Sequence, residues 1–176
     1  MTSYKVEYPK KILSYNIYFK SMLGLDKNFL PKEDAQNNVK NIIKNGDYEI
    51  IGLQEVACFD KIFDTKTLNK YNYVSGKSGK ETIMTFFKKT YKVIDSGIYE
   101  FIKGRPIQLS LLKKDNGKII LVINLHAPHD NQIFGDYNGI TNKSNYDYSL
   151  ELIKIINKKI NKFIDNNSSL IINRII

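Results

Sequence analysis

The sequence predicts one domain of the α/β class, and three observations carry this prediction. The chain opens with a strand–helix–strand unit, continues with a series of strands, and then has one long amphipathic helix. Its 176 residues are enough for a single hydrophobic core, and 42% of them are apolar. Because no repeat or linker-like change of composition divides the chain, we expect residues 1–176 to form a single domain.

The opening unit is defined by its apolar pattern. Residues 12–19, ILSYNIYF, are β-branched and aromatic, as is typical of a strand. Residues 31–46 have helical spacing of apolar side chains, with a proline at the start and Asn-Gly at the end. Residues 47–53, DYEIIGL, predict a second strand, and Glu55 follows it directly.

The middle of the chain alternates between strands and turns. Strands are predicted at residues 82–87, 92–101, 106–112 and 118–125. The turn KDNG at 114–117 predicts a hairpin between the last two strands. Because the run ILVINL is almost continuously apolar, we expect the last strand to be central in its sheet and buried on both faces.

The end of the chain has the clearest helical pattern. Residues 147–163 place apolar side chains on one face and lysines and asparagines on the other. A turn is predicted at 166–168, and a further strand is predicted to begin at 169–172.

Composition limits the classes of partner and of location. The formal net charge is +9, which favours a polyanion such as nucleic acid, although the lysines are spread along the chain. Cys58 is the single cysteine, so an internal disulfide and a cysteine-based zinc site are excluded. Since no signal peptide or membrane-spanning apolar run is recognisable, we expect a soluble, intracellular protein.

Polar residues at the ends of three predicted strands are the candidate site. Asn16 lies in the first strand, Glu55 follows the second, and His126 follows the last. A carboxylate and an amide oxygen suit Mg²⁺, a histidine suits proton transfer, and Arg105 suits bidentate contact with a phosphate. Taken singly, each has an ordinary explanation. Asn16 can be a polar residue on a half-exposed strand, and Glu55 the polar end of a strand. His126 can be a hydrogen-bonded histidine near the core, and Arg105 a surface charge.

The order of the motifs resembles a known family. KILSYNI, IIGLQEV, GRPIQLSLL and IILVINLHAPH resemble the successive signatures of the endonuclease/exonuclease/phosphatase (deoxyribonuclease-I-like) superfamily, from Lys11 to the end of the chain. The resemblance implies a four-layer α/β/β/α sandwich, here incomplete, with its first sheet mostly present. It also implies a requirement for Mg²⁺ or Mn²⁺.

The resemblance assigns roles to particular residues. It implies that Glu55 binds the metal, that Asn16 lies at the metal centre and that His126 is catalytic. Arg105 is similar to the phosphate-contacting arginine of the family. Glu81, in GKETIMTFF, falls where some nucleases of the family have a site residue.

The chain also departs from the family pattern. The family continues into a Gly-Asp-x-Asn motif, which binds phosphate and activates water, and later into an Asp-His pair. This sequence ends at residues 174–176 without either, so we expect a truncated domain with an impaired site and a poorly covered inner face of its first sheet. Residues 135–138, Gly-Asp-Tyr-Asn, spell the motif but precede the helix, and we interpret them as a turn.

The leading functional prediction is a Mg²⁺-dependent phosphodiesterase- or endonuclease-like hydrolase of phosphate esters. Nucleic acid is the favoured substrate because of the net charge. Phosphoinositide and sphingomyelin hydrolases share the first motifs, so those substrates stay open. Two other functions also stay open: a non-catalytic module that binds nucleic acid or another polyanion, and an interaction protein that pairs through an open sheet edge. The sequence does not specify the oligomeric state.

Overall fold

A computed structural model describes residues 9–78, 81–102, 105–127 and 145–172. The Gly-Asp-Tyr-Asn segment lies outside these ranges. The strands are β1 (Ile12–Asn16), β2 (Ile50–Gln54), β3 (Tyr71–Ser78), β4 (Glu81–Lys88), β5 (Tyr91–Ile102), β6 (Arg105–Lys114) and β7 (Ile119–Leu125). The helices are α1 (Phe19–Leu23), α2 (Lys32–Gly46), α3 (Phe59–Ile62), α4 (Thr65–Leu68) and α5 (Asn145–Ile172).

The strands form two sheets. The first has the order β1-β2-β4-β3, and the second has the order β5-β6-β7. β1 and β2 are parallel, as the predicted strand–helix–strand unit requires, and the other pairs are antiparallel. The predicted hairpin joins β6 to β7, and Gly117 adopts the left-handed conformation that this tight turn needs.

The layers follow from the alternation of side chains along the strands. On the outer face of the first sheet, Ile51 and Leu53 belong to one core with Val39 and Ile43 of α2. On the outer face of the second sheet, alternate residues of β6 form a core with Phe163 of α5. The two inner faces contact each other, so the order of layers is helix, sheet, sheet, helix, and the predicted fold class is confirmed.

The inner face of the first sheet is well covered on its central strands, so the prediction of poor coverage is wrong there. It holds at the edge strand β1, where Ile12, which pairs with Ile50, is 58% exposed. Ile50, Ile83 and Phe87 on this face are at most 2% exposed. The reason is that the three strands of the second sheet already span them, with Leu112 of β6 in the same core as Ile50 and Phe87.

The predicted position of the last strand is also wrong. β6 is the central strand of the second sheet and is buried along most of its length. β7 pairs only with β6 among the described residues, and its side chains are mostly half-buried, with Ile123 39% exposed. Its apolar run has another cause: the first sheet covers one face of β7 and α5 covers the other.

The predicted strand at 169–172 is replaced by helix. α5 continues to Ile172 through the predicted turn at 166–168. No glycine or proline lies between residues 145 and 172, and Leu170 follows Phe163 by seven residues, which is two helical turns. None of the helices in the described ranges is long and apolar enough to cross a bilayer.

Candidate active site

The structure brings Asn16, Glu55 and His126 together at one end of the two sheets. The Asn16 amide Nδ2 lies 3.0 Å from Glu55 Oε1 and 3.3 Å from His126 Nε2. The distance from His126 Nε2 to Glu55 Oε1 is 3.4 Å. The Glu55 and His126 side chains are only 13% and 12% exposed, so water screens their interaction weakly.

Arg105 belongs to the same group of side chains. It begins β6 beside the end of β7, where His126 N donates to Pro106 O. Its guanidinium Nη1 lies 2.8 Å from His126 Nδ1 and 2.9 Å from Nε2, and Arg105 is 8% exposed. A guanidinium can only donate, so the ring nitrogen that accepts this bond carries no hydrogen.

The orientation of the Asn16 amide is fixed by the backbone. Asn16 Oδ1 accepts a hydrogen bond from Tyr18 N at 2.9 Å, which turns Nδ2 towards Glu55. Tyr18 itself has a left-handed backbone, which is uncommon for a residue with a large side chain. Asn16 therefore presents a donor to the carboxylate, while its oxygen is already bonded.

A left-handed residue also directs the carboxylate into the site. Alternation along β2 places Leu53 on the helix side and Gln54 on the inner side, so an extended Glu55 would face the helices. Glu55 instead has φ 55°, which breaks the alternation and brings the side chain to Asn16 and His126. Left-handed backbone costs about 1–2 kcal/mol outside glycine, and such strain is concentrated at functional sites.

A chain of buried polar side chains lies directly behind the site. Gln54 Nε2 donates to Asn124 Oδ1 at 2.6 Å, and Asn124 Nδ2 donates to Met84 O and Thr85 Oγ1 at 2.9 and 3.1 Å. Thr85 Oγ1 donates to Gln108 Oε1 at 2.6 Å. These bonds connect the two sheets next to Glu55 and two residues before His126.

Sequence reasoning missed this polar chain, although a signal was present. Gln54 and Asn124 are polar residues within otherwise apolar strands, IIGLQ and ILVINL. The space for the Asn124 amide comes from Gly52, since a Cβ there would lie 3.1–3.3 Å from the amide atoms. Glu81 begins β4 opposite Ser78, but its side chain lies outside the described part, so its predicted role stays a prediction.

The oxygen donors present fit a hard divalent cation such as Mg²⁺ or Mn²⁺. Among the described residues, no three His, Cys, Asp or Glu side chains are close enough to hold a metal on their own. Mg²⁺ is commonly held by one or two carboxylates, with water and substrate phosphate completing its shell. Glu55 can supply that carboxylate, with Arg105 and His126 beside it for the phosphate.

The comparisons with known proteins concern the fold. No protein-family model matches the chain, and no curated protein matches it by sequence. The structure is similar to TDP2 from C. elegans, with a TM-score of 0.62, 18% identity, and 89% of this chain and 44% of that chain covered. It is also similar to an endonuclease/exonuclease/phosphatase from Bacteroides vulgatus, with a TM-score of 0.54 and 22% identity, and with 66% of this chain and 51% of that chain covered.

A third similar structure is that of D. rerio TDP2 complexed with single strand DNA product. Its TM-score is 0.60 at 16% identity, with 86% of this chain and 54% of that chain covered. The chain thus spans about half the length of the three structures. At these identities the likeness concerns the fold, which this chain shares with TDP2 and with an endonuclease/exonuclease/phosphatase.

Proposed function

We propose that this chain is a Mg²⁺- or Mn²⁺-dependent phosphodiesterase-like hydrolase of phosphate esters. The single observation that supports the proposal most strongly is the convergence of a carboxylate, an amide, an imidazole and a guanidinium at the ends of four strands: the first three lie within about 3.5 Å of one another, and the guanidinium contacts the imidazole. Rigid strands hold these groups, as a catalytic arrangement requires.

The proposed roles follow from the donors and acceptors. Arg105 binds the non-bridging phosphate oxygens, since its planar group can donate two parallel hydrogen bonds to them. His126, which accepts from Arg105 in this structure, can take a proton at one ring nitrogen or donate from the other. Asn16 donates to Glu55 and holds the carboxylate in place.

The metal would be held by Glu55, together with oxygens of the substrate and water. When bound, a divalent cation supplies positive charge that stabilises the phosphoryl oxygens and the leaving oxygen. Asn16 Oδ1 accepts from Tyr18 N, and Asn16 Nδ2 donates to Glu55. We propose that Asn16 acts mainly through the carboxylate, which it holds in place.

We propose nucleic acid as the substrate class. The net charge of +9 supports a polyanion, and D. rerio TDP2, which shares the fold, has been seen with single strand DNA product. Phosphoinositides and sphingomyelin carry the same phosphodiester group and are the alternatives to test beside it.

We propose that the 176-residue chain alone turns over slowly. Its described site contains one carboxylate, Glu55, whereas the resemblance implies further Asp, Asn and His residues. Removal of a single base or electrostatic donor typically lowers a rate by about 10²- to 10⁴-fold. A Mg²⁺-dependent turnover in the ordinary enzymatic range of about 1–10³ s⁻¹ would contradict this part of the proposal.

The test is hydrolysis of labelled single-stranded DNA with Mg²⁺, with and without EDTA. Glu55→Gln keeps the size of the side chain but removes its charge, and we expect it to lower the metal-dependent rate at least about 100-fold. Glu33→Gln, on the exposed start of α2, is the matched control and should leave the rate unchanged. Equal rates for wild type and Glu55→Gln would reject the proposal.

The same assay separates the alternatives. A non-catalytic module would bind DNA in a salt-sensitive manner, with no hydrolysis and no effect of EDTA. An interaction protein that uses the open edge of β7 would elute above the monomer mass in size-exclusion chromatography, and a clean monomer would argue against it.

A further inference from the structure

An exposed aromatic surface adjoins the candidate site. It consists of the exposed Phe19 and Phe29 and the half-buried Tyr18, which together we call the aromatic shelf. The ring centroid of Tyr18 lies 5.0 Å from that of Phe29 and 6.5 Å from that of Phe19. Phe29 is 60% exposed, and the neighbouring Leu25 and Leu30 are exposed as well. Exposed large apolar side chains grouped in this way mark a binding surface.

The shelf is connected to the site through Tyr18. Its backbone N–H holds the Asn16 amide that donates to Glu55, while its phenol donates to Asp26 Oδ2 at 2.8 Å. The hydrogen bond to Asp26 is the main cause that raises the pKa of Tyr18, and the nearby charge of Glu55 contributes to the same rise. The shelf therefore begins within electrostatic reach of the carboxylate.

The charge around the shelf favours an anionic ligand. Lys20 and Lys27 are exposed in the same segment as the aromatic residues, and Arg105 belongs to the adjoining site. Asp26 is engaged locally, since it accepts from Tyr18 Oη and from Asn28 N. Aromatic rings next to basic side chains are the arrangement that binds single-stranded nucleic acid, because every base has a face that can stack.

We propose that the aromatic shelf stacks against a base of a single-stranded nucleic acid whose adjoining phosphate lies between Arg105 and Glu55. This inference rests on the proposed function and extends it, since it says how the substrate is held beside the scissile bond. Phe29 is the principal stacking residue, because it is the most exposed of the three rings. The ring of Tyr18 packs against that of Phe29, and the backbone N–H of Tyr18 donates to Asn16 in the site.

The test is equilibrium binding, measured by fluorescence anisotropy in EDTA so that no hydrolysis is needed. The probes are a labelled oligothymidylate and an abasic oligonucleotide of equal length. We expect Phe29→Ala to weaken binding of the oligothymidylate about 5- to 100-fold, the effect of one lost stack, and to leave the abasic probe unchanged.

Three further variants distinguish base stacking from non-specific hydrophobic binding. Phe29→Tyr keeps the ring and should bind like wild type, whereas Phe29→Leu keeps apolar surface without a ring and should lose affinity like Phe29→Ala. Ile153→Ala, at an exposed position of α5 on the other side of the sheets, is the matched control. Circular dichroism checks that each variant is folded.

The outcomes separate this inference from the proposed function. Base-dependent binding without hydrolysis would support the shelf and reject the hydrolase. Hydrolysis with equal affinity for the two probes would support the hydrolase and overturn the shelf. Wild-type affinity in Phe29→Leu, or binding to neutral phosphatidylcholine vesicles in place of the oligothymidylate, would also overturn it.

Discussion

Asn16 shows how one amide can organise a site from the end of a strand. Its oxygen accepts from Tyr18 N and its nitrogen donates to Glu55, so both halves of the amide are used. The two bonds join a strained residue, Tyr18, to a second strained residue, Glu55. The carboxylate is thus held in position by the backbone and not only by its own side-chain torsions.

We therefore expect Asn16→Ala to act on the rate more than on stability. Loss of the donor to Glu55 should lower metal-dependent hydrolysis about 100-fold, because a freely rotating carboxylate is no longer preorganised. Urea denaturation should show a smaller effect of about 1 kcal/mol, since Asn16 is exposed. Asn41→Ala, on the exposed face of α2, should change neither quantity. An unchanged rate in Asn16→Ala would remove Asn16 from the site.

The sequence predicted the meeting of Asn16, Glu55, Arg105 and His126 but not its details. Asn16, Glu55 and His126 could be placed because each is a polar residue at the end of a predicted strand, and Arg105 because its motif follows theirs in an order that resembles a known family. The left-handed conformation of Tyr18 and Glu55 could not be predicted, because neither residue type signals it. Only the fold reveals that an extended Glu55 would have faced the helices.

The strands and helices were predictable where their pattern was periodic. Apolar spacing and end signals predicted the helix α2 and the strand β2 correctly. The predictions that β7 is a central strand and that residues 169–172 begin a strand were wrong. An apolar run indicates that both faces of a strand are covered, but it does not indicate whether the strand pairs with one neighbouring strand or with two. A short apolar segment after polar residues can likewise extend a helix or begin a strand.

The polar chain behind the site gives the clearest prediction for β2 and β7. Asn124→Ala removes the shortest hydrogen bond of Gln54 Nε2, at 2.6 Å, and a donor to Thr85 Oγ1, so the hydrogen bonding of buried polar groups is weakened. We expect a loss of about 2–4 kcal/mol in the free energy of unfolding, measured by urea denaturation.

The matched control for this change lies one residue earlier. Ile123→Ala removes a larger side chain, but Ile123 is 39% exposed, so it should cost less than Asn124→Ala. If Ile123→Ala is the more damaging of the two, the polar chain does not connect the sheets as proposed.

Across the whole molecule, the layer between the sheets changes from apolar to polar. At the end far from the site, Ile50, Phe87 and Leu112 form an apolar core with Tyr91. Towards the site, Thr85, Gln108 and Ser110 are polar and completely or almost completely buried. The apolar end supplies hydrophobic stability, while the polar end fixes the relative position of the sheets beside the site.

The carboxylate of Glu49 lies at the apolar end, and its contribution to the stability of the fold depends on pH. Glu49 Oε2 accepts from Tyr91 Oη at 2.7 Å and lies 3.4 Å from Lys114 Nζ. Burial alone would raise the pKa of Glu49, but the bonds from Tyr91 and Lys114 outweigh it and lower the pKa. A lowered folded-state pKa means that the charged carboxylate stabilises the fold above the ordinary pKa of about 4.3, and that this contribution is lost as the pH falls through the folded value.

Glu49→Gln should therefore lower the free energy of unfolding by about 1–2 kcal/mol at neutral pH. The difference from wild type should shrink below about pH 4, where the wild-type carboxyl also becomes neutral. Urea denaturation across this range measures it, with Glu33→Gln as the exposed control. A difference that is independent of pH would show that the charge of Glu49 has no part in the effect.

We propose that Asn16, Glu55, Arg105 and His126 form one site for a divalent cation and a phosphate. Paramagnetic broadening of backbone amide signals by Mn²⁺, in the presence of inorganic phosphate, tests this most directly. We expect broadening centred on residues 54–56 and on His126, and we expect Glu55→Gln to remove it. Broadening centred on the acidic first turn of α2, or unchanged in Glu55→Gln, would contradict the claim.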